Sequence, residues 1–302
     1  WTFPVNQLNQ QTEQLSPLSS RPAYTETENE LTVKANKRTF IFSKKDGQLK
    51  GVSVDNRKIS FANGPRFIGA RRADRSLDQF YNHDDEKAKE KDRTYSEFPD
   101  AAVFTKLDVK EDGGNLVVTA NYKLGNLDKT QWTINPSGEL ALDYTYNFSG
   151  VVDLMGIRFD YPEDQVISKR WLGAGPYRVW QNRIHGTQYD VWENDYNDPI
   201  PGETFTYPEF KGYFGDVSWM NIQTKEGTIS LTNETPDAYI GVYQPRDGRD
   251  RLLYTLPESG ISVLNVIPPV RNKVNSTDLC GPSSQPKWVN GPQTGRVIFR
   301  FM

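Results

Sequence analysis

Cysteine and histidine are almost missing from these 302 residues: one Cys, at position 280, and two His, at 83 and 185. A single thiol excludes an internal disulfide framework and any zinc site built from several thiolates. The two histidines form no His-x-x-x-His pair, so no metal is expected. Long apolar runs are also missing, and no stretch approaches the roughly 20 residues of a membrane-spanning helix. Neither charge sign is in excess, since 36 Lys and Arg face 39 Asp and Glu and leave a net charge of −3. That balance gives no basic footprint for nucleic acid or an anionic membrane surface, and neither is expected as a partner. The basic runs Arg71-Arg72 and Lys87 to Lys91 have acids interleaved or nearby and read as solvated faces. Gly-x-Gly-x-x-Gly is absent, and Gly173-Ala174-Gly175-Pro176 does not open a dinucleotide-binding helix, so no cofactor is expected.

What the chain does have is turn residues and aromatics: 23 Gly, 19 Pro, and 12% Phe, Trp and Tyr. Residues 1–30 are rich in Gln, Ser, Thr, Glu and Pro without apolar periodicity, and read as a linker or tether. Trp1 stands in place of Met with no apolar leader core after it, as after removal of a leader or in a chain starting inside a longer polypeptide, and the second is expected. The folded domain is expected over residues 31–302. Thr39 to Phe42 and Leu49 to Val54 flank Lys44-Lys45-Asp46-Gly47, a hairpin signal. Leu140 to Phe148 is apolar or aromatic at every second position, the period of a half-buried strand. Further strands are expected at 116–122, 131–134, 156–161, 212–222, 228–232, 239–243, 261–267 and 297–301, with turn residues between most of them. Residues 76–93 are the one stretch that reads as a helix or a mobile loop. The fold class is therefore all-β, one large antiparallel domain.

Catalytic chemistry is harder to find. A retaining glycosidase needs two carboxylates about 5 Å apart. Asn233-Glu234 has the Asn-Glu pairing that carries the acid in many barrel glycosidases, yet it sits where a strand runs into a turn, and the strand–helix alternation of a barrel is missing. It reads as a loop carboxylate. The densest feature is Lys169 to Arg183, where two glycines and a proline make a tight turn beside Trp171, Tyr177, Trp180, Asn182 and Arg183. Aromatic faces pack on the C–H faces of sugars, and Arg and Asn hydrogen-bond hydroxyls. The structural alternative makes Trp171 and Trp180 core or interface anchors, with Arg183 closing a buried ion pair.

Trp171-Leu172-Gly173-Ala174-Gly175-Pro176, followed by Asn182-Arg183, resembles the Trp-Leu-Gly-x-Gly-Pro…Asp-Arg signature in the C-terminal domain of the large bacterial β-galactosidases of glycoside hydrolase family 2. Asn36 to Phe42 with Asp46 to Leu49, Tyr207 to Tyr213, residues 226–243 and Gly295 to Met302 match further landmarks of that domain in order. The resemblance implies a β-supersandwich, also called galactose mutarotase-like. It also implies catalytic glutamates outside this chain, in a barrel of the same parent polypeptide that the domain packs against. In that family a loop near the C-terminus lends a tryptophan to the sugar site. The matching stretch here is Asn275 to Pro282, in which Asn275, Thr277, Asp278 and Cys280 are the candidates for facing carbohydrate. It has no tryptophan, so recognition there would be polar. Trp171, Gly173, Gly175, Pro176 and Arg183 are expected to be structural. The alternatives are a free-standing aldose 1-epimerase on the same fold, for which Asn82-His83 is the candidate site, and a carbohydrate-binding module.

Overall fold

The computed structural model describes residues 20–72, 95–195, 212–243, 257–269 and 281–302. The expected helix or loop at 76–93 and the candidates Asn275, Thr277, Asp278 and Cys280 lie outside them, as does most of 1–30. No α-helix occurs among the described residues.

One sheet is ten-stranded. It begins with the meander β1 (Ala23–Glu26), β2 (Glu30–Ala35), β3 (Arg38–Ser43) and β4 (Leu49–Val54). It continues through β6 (Ala62–Arg72), β12 (Leu154–Asp160), β18 (Ile261–Val266) and β17 (Tyr239–Val242), with β5 (Arg57–Ile59) on β4 and β7 (Tyr95–Glu97) on β6. The expected hairpin is β3–β4, and Gly47 closes its turn at φ 71°, a conformation that favours glycine. β1 pairs with Leu31 to Lys34 of β2, so the sheet starts ahead of the domain boundary expected at residue 31.

The second sheet has nine strands, in the order β14 (Gln188–Asp195), β13 (Val166–Gly175), β15 (Trp219–Thr224), β16 (Gly227–Asn233), β19 (Lys287–Phe301), β11 (Leu140–Val152), β10 (Leu127–Ile134), β9 (Asn115–Lys123) and β8 (Val103–Asp112). Every strand pairing in both sheets is antiparallel.

The inner faces of the two sheets close over one aromatic core. Phe61, Phe159, Phe299 and Phe301 are fully buried, with Phe61 stacked on Phe159 at 4.7 Å and 5.1 Å from Phe299. Trp132 meets Phe42, Phe159 and Phe299 in the same cluster. Such tilted and edge-on pairs add to the burial of large apolar surfaces. Across the core, the Tyr146 hydroxyl of β11 donates to Asn265 Oδ1 of β18 at 2.7 Å, a polar tie between the sheets.

The stretch expected as one strand over 212–222 is two things. Residues 219–224 are β15, but the chain before it runs between elements. Tyr213 forms a bridge to Val179, and Phe214 one to Ile240. Its apolar residues divide between two cores: Phe214 and Val217 join the main one, and Tyr213 a second, smaller one on the outer face of the ten-stranded sheet. There Val179, Trp180 and Tyr213 cover Ile68, Ala70, Leu154 and Leu264. This cover explains why β12 and β18 carry apolar residues on both faces.

Candidate functional site

β13 carries the signature into one end of the sandwich. Trp171 is buried, its ring edge-on to Phe214 at 4.8 Å, and its indole N–H donates to the Ala174 carbonyl at 3.0 Å. The two glycines are explained by what lies over them. A Cβ on Gly173 would stand 3.0 Å from the Gly215 carbonyl oxygen and the Val217 Cα, where the 212–218 segment crosses the strand. A Cβ on Gly175 would stand 2.4 Å from Cδ1 of Trp192, whose indole therefore lies against bare backbone. Trp192 is also the cross-strand partner of Trp171.

Beyond Pro176 the chain leaves the sheet. Arg178 is buried, with its guanidinium carbon 5.7 Å from the centre of the Phe214 ring and Nη1 donating to the Tyr243 carbonyl at 3.4 Å. Val179 and Tyr213 exchange two backbone hydrogen bonds of 2.8 Å, and Trp180 meets Tyr213 edge-on at 5.7 Å. The burial expected of Arg183 is corrected by the structure. Its side chain is exposed, because its backbone turns back on Trp180 (Arg183 N–H to Trp180 carbonyl, 2.8 Å) and directs the residue outward. His185 is exposed in the turn that follows.

Gln181 is the residue that sequence reasoning passed over. Its backbone N–H donates to the Pro268 carbonyl at 3.1 Å, and its amide donates to the carbonyls of Ser283 at 3.0 Å and Gln285 at 2.7 Å. Asn182 Nδ2 reaches Ser284 Oγ at 3.4 Å. Pro268 and Ser283–Gln285 flank the stretch 270–280 that holds Asn275, Thr277, Asp278 and Cys280. The structure thus brings the signature together with both flanks of the C-terminal candidate loop. The available signal was position alone, a buried-type amide next to Trp180 in the densest motif.

Asn233-Glu234 belongs elsewhere. Asn233 donates to the carbonyls of Val217 and Thr235 at 3.2 Å each, and Glu234 pairs with Arg296 at 2.9 Å. Arg296 also binds Asp143, and this hydrogen bond is the largest effect raising its already high pKa. One guanidinium clamping two half-exposed carboxylates from β11 and the β16 end is a structural triad. Among the described residues no three His, Cys, Asp or Glu side chains gather to hold a metal ion. No helix among them is long and apolar enough to cross a membrane.

Two large antiparallel sheets over a shared aromatic core, with an irregular cover at one end, define the galactose mutarotase-like class of β-sandwich. The galactose 1-epimerase from Lactobacillus acidophilus NCFM has this fold, with a TM-score of 0.50 at 11% identity over 94% of this chain and 99% of its own. A GalM/aldose epimerase homologue from C. elegans aligns with a TM-score of 0.42 at 7% identity, over 93% of this chain and 99% of its own. No curated protein matches the sequence. Residues 34–269 match the family described as Beta galactosidase small chain, and the chain belongs to that family.

Proposed function

We propose that this chain is the non-catalytic C-terminal domain of a family 2 glycoside hydrolase of the β-galactosidase type. It packs on a catalytic barrel of the same polypeptide and helps to shape the carbohydrate site there. Membership of the β-galactosidase small-chain family supports the reading. The observation that carries it is the hold of Gln181 on both flanks of the 270–280 stretch. The stretch that the resemblance directs at the sugar is thus flanked on both sides by residues held at the Trp171–Arg183 signature. With no tryptophan in it, hydroxyls would be met by Asn275, Thr277 and Asp278 through hydrogen bonds.

The test uses both the chain and its parent polypeptide. The chain alone should leave aryl β-galactosides, glucosides, glucuronides and mannosides unhydrolysed. In the parent enzyme Asp278→Ala should lower kcat/KM by several-fold, the equivalent of one neutral hydrogen bond of about 0.5–1.5 kcal/mol. Hydrolysis by the chain alone, abolished by one Glu substitution within it, would overturn the reading.

A free-standing aldose 1-epimerase is the second reading, since the galactose 1-epimerase of L. acidophilus has the same fold over its whole length. Fold does not choose between them. Mutarotation needs an acid and a base on either side of the anomeric carbon. Polarimetry on fresh α-D-galactose decides: an acceleration over buffer, lost in His83→Ala or His185→Ala, selects the epimerase.

A further inference from the structure

We propose a second ligand site, a cleft on the outer face of the ten-stranded sheet that binds a neutral polyhydroxylated molecule, a saccharide. The cleft encloses about 690 Å³, within the range of roughly 300–1,000 Å³ usual for small-molecule sites. It opens at the start of β6, where Asn63 and Arg66 stand, while the signature packs over Ile68 and Ala70 further along the strand. At about 3.3 Å per residue of strand, Asn63 and Ala70 are about 23 Å apart. The inference stands on the cleft's own chemistry and does not depend on packing against a barrel.

The pairing of β6 with β12 places Arg66 directly opposite Arg158. Like charges facing each other across a strand pair destabilise it unless acids intervene. Here they do. Asp160 accepts from Arg66 Nη2 and from Asn63 Nδ2, the latter at 2.9 Å. Arg158 donates to the Glu258 carbonyl and lies 3.7 Å from Glu97. Asp100 lies close enough to both guanidiniums to feel their charge, although burial raises its pKa more than they lower it. Tyr243 forms an aromatic wall of the cleft. The result is a row of donors and acceptors already fixed by one another, with the side chain of Asp160 still 48% exposed and that of Arg66 28% exposed. Fixed groups lose little further freedom when a ligand arrives.

The charge count selects the ligand class. Lys50, Lys58, Arg66 and Arg158 line the cleft against Asp160 and Glu258, which alone would suit an anion. Behind them, however, Asp46 pairs with Lys50 at 2.8 Å, Glu97 sits by Arg158, Glu226 faces Lys58, and Asp100 faces both arginines. Four cations therefore meet six carboxylates, and no positive field remains to hold a free anion. Alternating donors and acceptors beside an aromatic wall match vicinal hydroxyls on a sugar ring with its C–H face.

The experiment is a titration of the full chain with lactose, cellobiose and xylobiose, followed by two-dimensional NMR, with sodium glucuronate and sodium sulfate run in parallel. At least one neutral disaccharide should shift resonances of Asn63, Arg66, Arg158 and Asp160 with a Kd on the millimolar scale. Asp160→Asn should weaken that binding about fivefold or more. Lys50→Ala, at a partly exposed position whose ion pair with Asp46 lies at the cleft, should weaken it by a smaller factor. Shifts with the anions alone would overturn the proposal, as would shifts confined to Trp180–Asn182 or none up to about 0.1 M sugar. Binding undiminished in both variants would overturn it too.

Discussion

Gly175 has no room for a methyl group, because Trp192 occupies the place where one would go. The indole is held from behind by its hydrogen bond to the Gln188 carbonyl at 3.3 Å. Gly175→Ala should therefore force the ring or strand apart and destabilise the chain by about 1–3 kcal/mol, as overpacking does. Gly281→Ala is the control, since nothing lies within 4 Å of its Cβ position; its effect should stay within about 0.5 kcal/mol. Chemical denaturation of both variants checks the pair, and equal midpoints would show that Trp192 is free to move. Trp171→Ala should be worse, about 3–5 kcal/mol, because a fully buried ring in contact with Phe214 is lost. The motif announced its glycines, but not their cause: the covering residues Trp192 and Gly215 come later in the chain and reach it only through sheet pairing. Arg66, Arg158 and Asp160 left no mark in the sequence for the same reason. They meet only because β6 and β12, far apart in the chain, are neighbours.

At the scale of elements, one-sided exposure made some strands legible. β9, β10 and β11 have one face in the core and one in water, and their period of two stood out. β12 and β18 are buried on both faces, yet were found as apolar runs between turns. β8 and β14, mostly exposed edge strands with weak alternation, are not among the expected strands, and neither are the alternating β2 and the largely buried β6. β19 was read only over its last residues, because Lys287 to Gly295 is largely polar and solvent-facing; thirteen residues of β11 hold it in register. The 212–218 segment has a strand's composition without a sheet to join, which no local pattern distinguishes. Gln181 shows what such irregular segments are for. Gln181→Ala removes two donors from the Ser283 and Gln285 carbonyls and should cost about 0.5–1.5 kcal/mol for each bond. Hydrogen exchange should quicken at Ser284 and Gln285, whose amides close the short turn beside it, while β13 stays protected. Unchanged exchange there would mean that the flank is held by the turn itself.

The two sheets must also be held in register as whole bodies, and Glu226 is among the polar groups that join them. It sits in the two-residue turn between β15 and β16 of the nine-stranded sheet. Its carboxylate accepts from the Ser60 N–H at 2.8 Å, the Ser60 hydroxyl at 2.6 Å and the Tyr161 hydroxyl at 3.0 Å. Ser60 and Tyr161 both flank strands of the ten-stranded sheet. Burial acts to raise the Glu226 pKa, but these three hydrogen bonds and the Lys58 charge outweigh it, and the net shift is downward from 4.5. A carboxyl with a depressed folded-state pKa stabilises the fold above its unfolded value, and the gain is lost as pH falls through the folded value. The contribution of Glu226 is thus complete at neutral pH and disappears below about pH 4.5. Glu226→Gln keeps the shape, retains one acceptor oxygen, and removes the charge. It should lower stability at neutral pH by about 1 kcal/mol, since a charged hydrogen bond at a partly exposed site is screened by water. Urea denaturation of both proteins as a function of pH is the measurement: the gap between them should be constant through the neutral range and narrow as pH drops below 4.5. A gap of the same size in acid and at neutrality would show that the turn contributes through shape alone, and that the two sheets are registered by their aromatic core without the carboxylate.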